Sequence, residues 1–166
     1  MKSGDLGYFK IKSPLIIMLI GEYSTKLGEK NRVAVPKKFR TEMGNNLILA
    51  KGYEGCLILV TGGQWKKVTD GMLKAPYTRE AARDTARFIV GSASEIDTDK
   101  QGRFVLPNNL KEYAELGKEV VFVGLMNRVE VWDAKQWKAR SDYLAKNSSL
   151  IAEKLESLSD NSSEEE

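Results

Sequence analysis

Hydrophobic and polar positions along this chain recur in one order, twice. The run Met18 to Ser24 is apolar-rich and β-favouring, and Val33-Ala34-Val35 is a second short run of the same kind. Between them, Gly28 to Asn31 makes a tight connection. Pro36 stops the strand and can open a helix at its first turn, with Gly44 as the C-terminal stop. Asn46 to Lys51 and Cys56 to Thr61 read as a hairpin around Gly52-Tyr53-Glu54-Gly55, and a short helix around Trp65 closes the unit.

The second copy keeps this order. Gly91 to Ile96 and Arg103 to Leu106 flank a turn, and Asn108 is a suitable N-cap for a helix through Tyr113. Val120 to Val123 and Val129 to Trp132 form the next hairpin, and a helix begins near Ala134. Arg32 and Arg103 lie 71 positions apart, as do Pro36 and Pro107, while Gly52 and Gly124, and Trp65 and Trp137, lie 72 apart. Self-similarity that holds through several landmarks marks a duplicated structural unit. The segment Pro76 to Val90 between the copies is helical in pattern, with Thr78 as a candidate cap. Trp137 to Leu158 alternates apolar and charged residues at helical spacing, and Ser159 to Glu166 has the composition of a disordered tail. The predicted organisation is an N-terminal extension over 1–17, a first repeat over 18–75, a linking helix over 76–90, a second repeat over 91–140, and a C-terminal helix with an acidic tail over 141–166. Short strands mixed with short helices indicate an α+β fold rather than a parallel βαβ sheet.

Composition narrows the chemistry. The chain has 166 residues, no histidine and one cysteine, Cys56. That removes histidine-based acid–base catalysis, any intramolecular disulfide and the usual structural zinc sites, and it favours a reducing compartment. The longest apolar run, Leu15 to Ile20, is far short of the roughly 18 residues a membrane span needs. The formal charge is +3, but Asp160, Glu164, Glu165 and Glu166 place −4 at the end of the chain and leave +7 on residues 1–159. A mildly basic body with an acidic tail suits a nucleic-acid partner.

The cations fall on the repeated turns: Lys30 and Arg32 in the first, Lys100 and Arg103 in the second. Asn31 stands where the second copy has Gly102, and both residue types accept the positive φ such turns demand. Cations at the tip of a two-stranded ribbon can reach phosphates and enter a major groove. Two tips on one chain, multiplied by any oligomer, would then sample successive grooves. Solvated hairpin turns have the same composition, so the residues alone leave both readings open.

Met18-Leu19-Ile20-Gly21-Glu22-Tyr23, Lys30-Asn31-Arg32, Pro36 and Gly55-Cys56-Leu57, with Asp99-Lys100-Gln101-Gly102-Arg103 and Pro107, resemble the MraZ family over about residues 18 to 145. The resemblance implies a SpoVT/AbrB-like fold of two tandem swapped-hairpin β-barrel repeats with short helices, forming a pseudo-symmetric unit, each repeat marked by an Asp-x-x-x-Arg motif. It further implies a bacterial DNA-binding transcriptional regulator of the division and cell-wall gene cluster, its own promoter included. A ring-shaped homo-oligomer on promoter direct repeats, cytoplasmic and nucleoid-associated, would follow. Carried over residue by residue, DNA contact goes to Lys30, Arg32, Lys100 and Arg103, and turn positioning to Asn31, Asp99 and Gly102. The second motif is intact from Asp99 to Arg103, whereas Gly28 stands at the first motif's Asp position and Asn31 at its Gly position. Related swapped-hairpin folds also serve as antitoxins, so a protein-interaction module is the alternative; its usual sign is a long, disordered, partly apolar tail, whereas the tail after Leu158 is short and acidic, which argues against it.

Other features carry less. Arg79, Arg83 and Arg87 give one basic helical face, but Glu80 and Asp84 share the helix, which favours a solvated, ion-paired surface or a subunit contact. Trp65, Trp132 and Trp137 could stack bases, yet their place beside apolar runs favours packing. Gly62-Gly63 lacks the Lys-Ser/Thr of a phosphate-binding loop, and Cys56 has no histidine to activate it. No enzyme, cofactor, metal, small-molecule substrate or membrane is expected.

Overall fold

The computed structural model describes residues 17–161. The expected extension over 1–17, apart from its last residue, and the tail beyond 161 lie outside the described residues. Among the described residues, eight strands and five α-helices follow one another: β1 (Ile20–Lys26), β2 (Arg32–Ala34), α1 (Lys37–Met43), β3 (Asn46–Lys51), β4 (Leu57–Thr61), α2 (Gly62–Leu73), α3 (Glu80–Ile89), β5 (Ser94–Asp97), β6 (Arg103–Val105), α4 (Asn108–Tyr113), β7 (Glu119–Leu125), β8 (Val129–Asp133) and α5 (Ala134–Asn161).

Six strands form one antiparallel sheet in the order β1-β7-β8-β4-β3-β5, and β2 pairs with β6 in a separate two-stranded ribbon. Exchanging each strand for its counterpart one repeat away reverses the sheet order and leaves it otherwise unchanged. The chain therefore has a pseudo-two-fold arrangement, with β4 against β8 at its centre. Both hairpins sit at the expected places. The strands flanking each turn, in contrast, do not pair with each other: β1 lies on β7 of the other half, β5 lies on β3, and β2 and β6 find one another. Sequence periodicity marks which residues are strand but carries no information about so distant a partner.

The sheet's inner face supplies Leu47, Leu49, Leu57, Leu59, Val120, Phe122, Val129 and Val131 to the main core. Val33 and Phe104 of the ribbon and Phe39 and Leu110 of α1 and α4 close it from the other side. Burying side chains of this size stabilises by about 1.5–3 kcal/mol each. On the outer face, Ile89, Phe88, Trp65 and Met72 from α2 and α3 cover Ala50 and Ile58, while Trp137 of α5 packs beside Val121, Val123 and Trp132. The tryptophans thus serve packing, and two of their ring nitrogens are occupied: Trp132 Nε1 donates to Glu130 Oε2 and Trp137 Nε1 to Glu22 Oε2, both at 3.0 Å.

Local rules account for two of the helix ends. Gly44 ends α1 at φ 76°, where a side chain would be strained. Thr61 and Gln64 form a reciprocal capping box at the start of α2, so Gly62 and Gly63 occupy an ordinary helical first turn. Three expectations need correction. Asn108 is not an N-cap: Pro107 holds that position, and the Asn108 side chain is used elsewhere. The linking helix starts at Glu80 with Arg79 at its cap; Thr78 instead offers its carbonyl to Arg83 Nη1 at 3.0 Å. Helix α5 continues to Asn161, so residues 159–161 are helical rather than disordered.

Candidate nucleic-acid interface

At the ribbon, as at the β4–β8 pair, the two halves meet symmetrically. Val33 faces Phe104, Arg32 faces Val105 and Ala34 faces Arg103. Alternation along a strand sends Val33 and Phe104 inward, and both are buried. The same alternation leaves Arg32, Ala34, Arg103 and Val105 on the outer face, where Val105 is 59% exposed. Arg32 and Arg103 therefore stand diagonally across one small ribbon. Two strand steps and one strand spacing put their Cα atoms about 8 Å apart.

This placement puts the two tips of one chain on a single surface. Both turns feed the same ladder from opposite ends. From Lys30 to Ala34, then from Arg103 back to Lys100, the backbone spans at most roughly 25 Å. That is less than the ~34 Å of one duplex turn. The two turns of one chain make a single basic surface because β2 and β6 pair with each other.

Each turn is closed by an equivalent backbone bond, Gly28 N–H to Arg32 O at 2.7 Å and Asp99 N–H to Arg103 O at 2.9 Å. Inside, they differ. In the second turn, Gly102 N–H donates to Asp99 O at 2.9 Å and Gly102 takes φ 77°, a turn closed by one left-handed glycine. Asp99 Oδ1 accepts from the backbone N–H of Gln101 and of Arg103, both at 2.9 Å, and Oδ2 accepts from Arg103 Nε at 2.9 Å. These donors, the Arg103 backbone N–H foremost, hold the Asp99 carboxyl below its ordinary value. The ion pair is about 40% exposed on both sides, so its worth lies in orientation more than in stability.

The first turn has Gly28 where that carboxylate would be. Lys30 and Asn31 both adopt φ 56°, the two-residue pattern of a type I′ turn, and Arg32 N–H bonds Glu29 O. Positive φ at Asn31 agrees with expectation; at Lys30 it was missed, and the absence of the aspartate is the signal that could have found it. Among the described residues no ion pair or side-chain hydrogen bond engages the Arg32 guanidinium.

Each turn is also covered by a cation from the opposite half. Arg40 of α1 lies over Gly102, so closely that a Cβ there would fall 2.6 Å from Arg40 Cδ. Lys111 of α4, 71 positions from Arg40, donates to Asn31 Oδ1 at 2.9 Å, and Asn31 Nδ2 donates to Asn108 Oδ1 at 2.8 Å. Arg40, Lys111 and Asn108 were not expected at the site. The shared offset of 71, with a cation at each position, is the signal that sequence reading overlooked.

Other candidates resolve more simply. Arg87 pairs with Asp84 at 2.8 Å and Arg83 bonds the Tyr77 carbonyl at 2.9 Å, as expected of a solvated helix. Cys56 is buried, and desolvation first, then Glu130 and Glu54, push its thiol up to about 12. Among the described residues no helix is long and apolar enough to cross a membrane, and no group of three or more acidic or cysteine side chains is placed to hold a metal ion.

Comparison with known proteins agrees with the duplicated architecture. Residues 18–88 and 89–159 each match the family described as "MraZ protein, putative antitoxin-like". A Clostridium acetobutylicum protein named transcriptional regulator MraZ is 41% identical over 141 residues, covering 85% of this chain and 99% of the relative. Proteins of the same name from Halothermothrix orenii and Clostridium tetani are each 39% identical, over 141 and 145 residues, with the same shares covered.

Proposed function

The chain belongs to the MraZ family, and from that premise we propose that it is a transcriptional regulator that binds double-stranded DNA in a sequence-specific way. The observation that carries the reading is the exposed β2–β6 ribbon with Arg32 and Arg103 on one face and Lys30 and Lys100 at its two ends. A two-stranded ribbon fits a major groove about 12 Å wide, and these four cations are the proposed contacts. Asn31, Asp99 and Gly102 set the turns. Phosphate contacts supply affinity and a subset of side chains reads bases. The cross-paired strands support a swapped-hairpin description of the fold, with the two repeats as its halves. Family membership supports a target in the division and cell-wall gene cluster, including the chain's own promoter, read by a ring of copies on direct repeats in the nucleoid.

The test is a gel shift on the DNA upstream of the protein's own gene at two salt concentrations. Affinity should fall with a log–log slope of roughly −0.9 per phosphate neutralised. The Arg32→Ala/Arg103→Ala double variant should bind far more weakly, and unchanged retardation would defeat the assignment. A second reading, a protein-interaction module, draws support from the antitoxin-like family description and from the exposed Leu150, Leu155 and Leu158 on α5. A stoichiometric protein partner in a pull-down, with DNA binding absent, would favour it.

A further inference from the structure

We propose that the two arginines divide recognition between them: Arg103 reads a base edge, and Arg32 contacts backbone phosphate. The inference rests on the DNA-binding reading above and goes beyond it by giving the two halves of the chain different tasks.

The difference begins with one residue. Asp99 occupies the position that Gly28 occupies 71 residues earlier. Through Oδ1 it braces the turn, and through Oδ2 it holds Arg103 Nε at 2.9 Å. A guanidinium held at Nε has its plane fixed, and its terminal Nη1 and Nη2 donors remain in a forward-facing fork. That fork matches the O6 and N7 acceptors on the major-groove edge of guanine, a pairing that demands a defined plane. The same carboxylate lies beside the cation and offsets its charge, which lowers its value as a general phosphate attractor.

Arg32 has the opposite properties. Gly28 offers it no carboxylate, and Glu29, although exposed nearby, forms no ion pair with it. Its charge is uncompensated and its long side chain is unheld. A phosphate accepts hydrogen bonds over a wide range of directions, so it tolerates a mobile donor; a base edge does not. The brace the first turn does have runs from the Asn31 side chain to those of Asn108 and Lys111 and never reaches Arg32. Turn position is thus secured in both halves, while arginine orientation is secured in one.

The experiment uses the full chain and a pool of randomised duplexes, with selection and sequencing of the bound fraction. Arg32→Lys should enrich the same motif as the parent protein. Arg103→Lys should lose preference at one guanine position, with discrimination there falling about 5- to 150-fold. Asp99→Asn keeps the Oδ1 acceptor that braces the turn and removes the charged partner of Nε, so it should lose the same position while melting like the parent. Gly28→Asp should add preference at a second position. On a fixed duplex of arbitrary sequence, Arg32→Ala should reduce the salt slope by about 0.9 and Arg103→Ala by less than half of that. The proposal is overturned if Arg103→Lys enriches the parental motif unchanged, or if Arg32→Lys loses a position that Arg103→Lys keeps. Enrichment of no motif by the parent protein would instead overturn sequence-specific binding itself.

Discussion

Replacing Gly28 by Asp should stabilise the protein, because the first turn is strained for want of that carboxylate. Gly28 sits at φ −86° and ψ −175°, extended backbone that any residue adopts. A Cβ there meets nothing nearer than the Arg32 carbonyl oxygen at 3.4 Å, which is ordinary contact. Removing a glycine from such a position gains about 0.4–1 kcal/mol through the unfolded chain. An aspartate there can accept the bonds that Asp99 accepts, and one added hydrogen bond at this exposure is worth about 0.5–1 kcal/mol. The turn can then adopt the form seen from Asp99 to Gly102, in which only the last residue is left-handed, and that releases Lys30 from φ 56°. A side chain in that region costs about 1–2 kcal/mol. Together these terms come to about 2–4 kcal/mol, or roughly 4–16 °C in Tm for a chain of this size. Thermal unfolding followed by circular dichroism measures the change, and backbone chemical shifts report the φ of Lys30. An unchanged or lower Tm would refute the reasoning, and so would a Lys30 that stays at positive φ while Tm rises.

Other expectations follow from the same geometry. Lys111→Met keeps the aliphatic stem and loses the bond to Asn31, so it should cost about 1 kcal/mol; in a double-mutant cycle with Asn31→Gly the two losses should fall short of additivity by at least about 0.5 kcal/mol. Strict additivity would show that the clip contributes nothing. Asp99 is held below its ordinary value of 3.8, so its brace is complete at neutral pH and is lost as pH falls below 3.8 through the lowered folded value. A carboxyl-carbon NMR titration with its midpoint at or above 3.8 would contradict this. Cys56, buried with its thiol pushed up to about 12, should label slowly with a maleimide at pH 8 and rapidly in denaturant. Equal rates in both conditions would mean that the thiol is open to solvent.

What could be read in advance was what is local. Gly44 as a helix stop, the two hairpins and the left-handed Asn31 depend on a few neighbouring residues, and each is present in the structure. Strand partnership depends on residues a repeat away, and nothing at Met18 to Ser24 specifies β7 as a neighbour. Polar side chains with two possible uses were misjudged for the same reason. Asn108 has the chemistry of an N-cap, but Asn31, 77 positions earlier, takes its oxygen instead. At the ribbon, the cations Lys30, Arg32, Lys100 and Arg103 stood out by repetition; Arg40 and Lys111 repeat at the same offset, but that they cover the turns follows only from helices of one half lying over turns of the other.

The reversed strand order has a consequence for how the molecule comes into being. Strand β1 leaves the ribosome with no partner of its own, because Ile20 awaits Leu125 about a hundred residues later. At 5–20 residues per second, that wait lasts about 5–20 s. The ribbon itself cannot exist until Arg103 to Val105 has been made. A chain interrupted halfway would carry Lys30 and Arg32 on a segment with nothing to hold it flat. Synthesis thus acts as a check on progress, in which the proposed DNA-binding surface is assembled only by chains translated past Val105.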